Sequence, residues 1–278
     1  MKKIFSSFFL CSVLLVACNQ ESSITSILTQ KKTTLAIKEE ISSDFIPRSY
    51  SIVSVGDSLT YGVGDSTKRG GYLPYLKVKL EKEKNVREVN FSNFGVTGYR
   101  TSELLDKLKT TEVKDSLQKA DIVMITTGGN DVMKVVRENF FGLELKYFDR
   151  ELMNYEKTLS SVIETIRNEN QDAVVGLIGL YNPFYQFLGD VKEVDIVIEK
   201  WNDVSQSVIG KYENTLFIDI AKEFRESEEN LLYTDYFHPN DKGYELMANN
   251  AFIALRENAL ETISNRKYVA SKKEGKDE

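Results

Sequence analysis

Two hydrophobic rhythms alternate along this chain. Short, β-rich runs lie at Tyr50–Val55, Glu88–Ser92, Ala120–Thr127, Ala173–Leu180 and Thr215–Ile220. The third and fourth are nearly continuous in apolar residues, as central strands covered on both faces should be. Between the runs, apolar residues recur at spacings of three and four. Leu152, Tyr155, Leu159, Val162 and Ile166 form one such series; Val194, Val197, Trp201, Val204 and Val208 form another; Tyr244, Met247, Ala251 and Leu255 form a third. That is helical periodicity. Strand–helix alternation implies right-handed crossovers and a parallel sheet. The pattern therefore predicts an α/β fold over residues 48–264, a three-layer α/β/α sandwich around a central, mainly parallel five-stranded sheet. In such sheets ligands bind beyond the carboxyl ends of the strands. This directs attention to Gly56–Thr60, Asn93–Arg100, Gly128–Asp131 and Tyr181–Leu188.

The flanks read differently. Lys2 and Lys3 precede an uncharged apolar run, Ile4–Ala17. The run is short for a bilayer span and has the positive flank of a secretory signal. It ends in Leu15-Val16-Ala17-Cys18, which resembles the lipobox of bacterial lipoproteins. The resemblance implies a signal peptide over 1–17, lipidation of Cys18 and an extracytoplasmic protein anchored to the membrane. An uncleaved apolar anchor would place the domain on the same side. Residues 18–47 are rich in Ser, Thr, Gln, Lys and Glu and read as a flexible tether. A peripheral helix over 31–41, packing Leu35, Ile37 and Ile41, is the competing reading. The charged stretch 265–278 reads as a frayed C-terminal tail.

Composition narrows the function. Loss of residues 1–17 removes Lys2 and Lys3 but no acid, taking the formal charge from −6 to −8. Such an acidic domain, with no basic motif, is a poor nucleic-acid binder. Cys11 would leave with the signal, so Cys18 has no disulfide partner. One histidine and one mature cysteine exclude the usual zinc arrangements, so no metal and no cofactor are expected. Gly62-Val63-Gly64 lacks the rest of any phosphate-binding fingerprint.

That one histidine, His238, sits in Asp235-Tyr236-Phe237-His238-Pro239. Three further blocks fall at strand ends: Gly56-Asp57-Ser58-Leu59-Thr60, Asn93-Phe94-Gly95-Val96-Thr97-Gly98 and Gly128-Gly129-Asn130-Asp131. The four blocks, in order over roughly residues 50–260, resemble the GDSL esterase/lipase family, the SGNH hydrolases. The chain reads as a lipoprotein member from a Gram-positive bacterium. The resemblance implies a flavodoxin-like α/β fold and carboxylic-ester hydrolysis.

The chemistry also stands on the residues. A serine hydroxyl is a poor nucleophile until a base takes its proton. His238 is the one histidine available as base, and Asp235, three residues earlier, can share its side of a turn and orient the imidazole. Ser58, His238 and Asp235 are therefore the expected catalytic set. The family pattern implies an oxyanion hole built from the backbone N–H of Ser58, the backbone N–H of Gly98 and the side-chain amide of Asn130. Asp57, Asn93 and Asp131 read as loop braces.

The substrate is less legible. Phe140, Phe141, Tyr147 and Phe148, with Phe184, Tyr185, Phe187 and Leu188, sit on what read as long loops over the crevice. They could line an acyl pocket, form a lid or pack as core. An apolar pocket would favour a lipid or other acyl ester. The alternatives are a carbohydrate or peptidoglycan O-deacetylase and a non-catalytic binding lipoprotein. Oligomeric state is not readable.

Overall fold

The computed structural model describes residues 46–185 and 192–274. These belong to one compact unit beginning at Ile41. The expected signal peptide, Cys18 and all but the last two residues of the tether lie outside the described residues, as do Phe187 and Leu188.

Five strands form one sheet: β1 (Arg48–Gly56), β2 (Val86–Gly95), β3 (Ile122–Thr126), β4 (Val174–Ile178) and β5 (Thr215–Ile218). Their order is β2-β1-β3-β4-β5 and every pairing is parallel. The helices are α1 (Ser58–Tyr61), α2 (Leu73–Leu80), α3 (Thr101–Leu108), α4 (Thr111–Leu117), α5 (Gly129–Glu138), α6 (Leu145–Glu169), α7 (Lys192–Ile209), α8 (Ala221–Glu226), α9 (Asp241–Asn258) and α10 (Leu260–Glu274).

The continuous apolar runs follow from two-sided burial. Successive strand residues point to opposite faces. Ile52, Ile122, Met124, Val174 and Ile178 therefore join Leu76, Met247, Ala251 and Leu255 in one core. Val53, Val55, Val123, Ile125, Val175 and Leu177 join Leu104, Leu159, Val162 and Trp201 in the other. The three periodic series fall on α6, α7 and α9, as their spacing requires.

Two segments depart from expectation. The charged stretch after Asn265, expected to fray, continues as helix to Glu274, where Lys267 Nζ sits 2.8 Å from Asp121 and Ile263 is buried one turn earlier. Residues 132–150, read as a loop, are mostly the body of α5 and the start of α6. Among the described residues no helix is long and apolar enough to cross a membrane.

The order reverses between β1 and β3, which lie side by side although β2 intervenes in the chain. Open parallel sheets bind ligands at such a switch point. Gly56 ends β1 there at φ +149°, and a Cβ on it would stand 2.2 Å from the Thr126 carbonyl oxygen of β3. Only glycine lets the two strand ends come this close.

Candidate active site

Ser58 opens α1 directly after β1. Asp57 caps that helix, its Oδ1 accepting from the Leu59 N–H at 3.0 Å and from the Thr126 hydroxyl at 2.7 Å. Ser58 is thus pinned to the carboxyl edge of the sheet, 5 % exposed. His238 arrives from the far end of the chain, on the turn before α9. Its Nε2 lies 2.8 Å from Ser58 Oγ, and its Nδ1 lies 2.7 Å from Asp235 Oδ2. The network is satisfied by one neutral tautomer: Nδ1–H donates to the carboxylate and Nε2 accepts from the serine hydroxyl.

The turn explains the spacing of three. Asp235 Oδ1 accepts from the backbone N–H groups of Phe237 and His238, each at 3.0 Å, so one oxygen closes the turn while the other holds the imidazole. Tyr236, between them, is held at φ +56°, a region few bulky residues occupy. Surrounding bonds enforce it. Tyr181 donates to the Phe237 carbonyl at 2.5 Å, and the Tyr233 N–H donates to the His238 carbonyl at 2.7 Å. Asn240 caps α9 and ties back to the Asn230 and Leu232 carbonyls.

Asn130 lies in the first turn of α5, its amide donating to the Tyr99 carbonyl at 2.9 Å. That bond fastens the Gly98 loop to the switch point. Gly98 is at φ +82°, and a Cβ there would meet nothing within 4 Å, so the backbone faces open space. Asn93 braces the same region, donating to the Thr60 carbonyl and accepting from the Gly95 N–H. Asp131 accepts from both the N–H and the hydroxyl of Thr101, joining α3 to α5.

Beside Ser58 opens a cavity of about 200 Å³. Val132, Met133 and Val136 of α5, Phe148 of α6, and Val194 and Val197 of α7 line it, with Asn130 at the same wall. Of the aromatic residues singled out in the sequence, Phe148 and Phe184 reach this cavity, whereas Phe140 and Phe141 stand out in solvent. The aliphatic lining escaped the sequence reading because Val132, Met133 and Val136 fall in a segment read as a loop, while Val194 and Val197 of α7 look like ordinary core periodicity. Only the helices' packing leaves a gap between them.

A serine hydroxyl, an imidazole and a carboxylate in one bonded chain, next to an apolar cavity, form an arrangement suited to acyl transfer. The family model of the GDSL-like lipase/acylhydrolase family matches residues 54–246. The chain belongs to this family. Among its relatives, the uncharacterized protein YpmR of Bacillus subtilis is 33% identical over 93% of this chain and 98% of its own length. The spore germination lipase LipC of Bacillus licheniformis is 29% identical over 70% of this chain and 91% of its own. The crystal structure of Lip_vut3, a lipase from a goat rumen metagenome, superposes with a TM-score of 0.67 at 28% identity, over 74% of this chain and 97% of that one. The GDSL-like hydrolase described here is thus a carboxylic-ester hydrolase.

The carboxylates of this GDSL-like hydrolase are tuned in opposite directions. Partial burial raises Asp235, but the hydrogen bonds from the His238 ring and the His238 and Phe237 backbone outweigh it, so its pKa lies below the ordinary carboxylate value. Asp235 therefore stays an anion to acid pH. Asp57 is pushed up by burial, against the bonds from Thr126 and Leu59. Asp131 is pushed up to about 6 by burial, which its bonds from Thr101 only partly offset.

Asp131 yields a stability prediction. Its folded pKa of about 6 exceeds the ordinary 3.8, so the folded state binds the proton more tightly than the unfolded chain does. The resulting contribution is complete below pH 3.8 and is lost as pH rises through about 6. Two units correspond to about 3 kcal/mol. Asp131→Asn keeps an acceptor for Thr101 and removes the charge. Urea unfolding at pH 4 and pH 7 should show the variant gaining stability relative to wild type as pH rises. An unchanged difference between the two proteins would refute the assignment.

Proposed function

We propose that this hydrolase is a serine esterase acting on lipid or other acyl esters through an acyl-enzyme on Ser58. The observation that carries this is the 2.8 Å contact of Ser58 Oγ with His238 Nε2 at the wall of an apolar cavity. The lipase named among its relatives is in keeping with it.

In this reading Ser58 Oγ attacks the ester carbonyl while His238 Nε2 takes its proton. Asp235 holds Nδ1–H and stabilises the imidazolium. The carbonyl oxygen becomes an oxyanion met by the N–H of Ser58, the N–H of Gly98 and the amide of Asn130. When the tetrahedral intermediate collapses, His238 returns the proton to the departing alcohol and the acyl group stays on Ser58. Water, deprotonated by His238, then releases the acid. Asn130→Ala removes one donor and should lower kcat by about 10² to 10³ with little change in KM. A loss carried by KM alone would make Asn130 a binding residue instead.

The substrate class is tested with p-nitrophenyl esters of increasing acyl length. Each methylene buried in the cavity contributes about 0.8 kcal/mol, so kcat/KM should climb by about fourfold per carbon from acetate until the cavity is full. A series that is highest at acetate would instead favour the deacetylase reading.

The protein is further proposed to work outside the cytoplasmic membrane, anchored through Cys18. Lys2, Lys3, the apolar run and the Leu15–Cys18 motif support this. Fractionation of cells expressing Cys18→Ala tests it, since a variant still held in the membrane fraction would speak against lipidation as the anchor.

A further inference from the structure

The turn between α5 and α6 carries a feature the hydrolytic site does not use. Phe140 is 70 % exposed and Phe141 is fully exposed. Their rings meet edge to face with centroids 5.4 Å apart. The turn is held by its own bonds: the Gly142 N–H donates to the Asn139 carbonyl, and the Asn139 side chain donates to the Val135 carbonyl. A Cβ on Gly142 would meet nothing within 4 Å, so the tip projects into open space. Neither phenylalanine belongs to a core cluster or to the cavity lining. Directly after them, Leu143 and Leu145 are exposed as well, and these two also line the cavity beside Ser58. Glu144, between them, is paired with Lys146 at 2.8 Å. Exposed apolar residues thus follow one another along the chain from the tip to the cavity lining, with the Glu144–Lys146 pair among them.

We infer that the Phe140–Phe141 tip docks this protein on a lipid surface, so that an acyl chain passes from the lipid into the cavity over Leu143 and Leu145. The inference rests on the reading of the cavity as an acyl site. A second copy of the chain is the poorer occupant. Two phenylalanines offer roughly 300–500 Å², whereas a stable interface takes about 800 Å² from each partner. A lipid surface needs no shape complementarity, and aromatic side chains settle at its interface. The chain's negative charge favours zwitterionic over anionic lipid.

The test uses the compact unit from Ile41 onward, so that neither an acyl anchor nor the N-terminal apolar run contributes. Phe140→Ser/Phe141→Ser is compared with the parent in three assays: co-sedimentation with phosphatidylcholine vesicles, hydrolysis of an ester carried in those vesicles, and hydrolysis of soluble p-nitrophenyl butyrate. Vesicle binding and vesicle hydrolysis should each fall by at least about tenfold, since two apolar side chains lose their burial. Soluble turnover should be unchanged, which also reports an intact fold. Equal vesicle binding by the two proteins would overturn the inference. So would a parent dimer that the double substitution dissolves, because the tip would then serve a second copy. A parent that binds vesicles but hydrolyses no ester would leave the docking role intact and defeat the esterase reading.

Discussion

Ser58→Ala is expected to leave a folded protein with kcat reduced by about 10⁴-fold or more. The proposed nucleophile is lost, and what survives is whatever the proposed oxyanion donors and binding supply unaided. The fold should tolerate the change. Ser58 stands at the start of α1, where alanine is a good helix former, and its hydroxyl meets His238 at the edge of the site. The measurement is turnover of a p-nitrophenyl ester beside labelling by a fluorophosphonate, which reacts with an activated serine. Wild type should label and the variant should not. Labelling that persists in Ser58→Ala would move the nucleophile to another residue.

Asp235→Asn is expected to cost nearly as much, on the order of 10⁴-fold in kcat, without removing a single heavy atom from the chain of contacts. An asparagine carbonyl can still accept the Phe237 and His238 N–H groups that close the turn. Its NH₂ then faces Nδ1, where it can only donate. The imidazole must present a lone pair at Nδ1 and carry its proton on Nε2, the atom that should accept from Ser58. The tautomer, rather than the geometry, is what fails. Retained thermal stability with collapsed kcat would bear this out. A loss of less than about tenfold would mean that His238 works without an orienting carboxylate. Raising the pH should not rescue the variant, because the defect is the position of a proton and not its presence.

Much of this site was open to reading because its pieces are local. The single histidine admits no rival, and an acid three residues before it suits a turn closed by one carboxylate oxygen, which is how Asp235 is used. Ser58 and Asn130 follow apolar runs, and residues after parallel strands gather at one edge of a sheet. The alternation of strand and helix patterns carried the architecture, since a strand buried on both faces must be apolar throughout, as Ile122–Thr126 and Val174–Ile178 nearly are.

The misread segments share a cause. Residues 132–150 lack long uninterrupted periodicity, yet the Gly129–Glu138 helix forms because its apolar residues meet α6 and the cavity. The stretch beyond Asn265 looks too charged to order, yet the contact of Lys267 with Asp121, distant in sequence, accompanies a helix there. Tertiary contact overrides weak local preference in both.

From the sequence alone, then, came the α/β class, the strand-end positions of the blocks and the residue types able to perform acyl transfer, because these depend on periodicity and on short-range spacing. Tertiary structure alone decided that Ser58 and His238, 180 residues apart, come within 2.8 Å. It also decided that α5, α6 and α7 leave an apolar cavity beside them, and that Phe140 and Phe141 face solvent instead of filling it. Distances between far-separated residues and gaps between helices arise from how whole elements pack, and no local pattern encodes them.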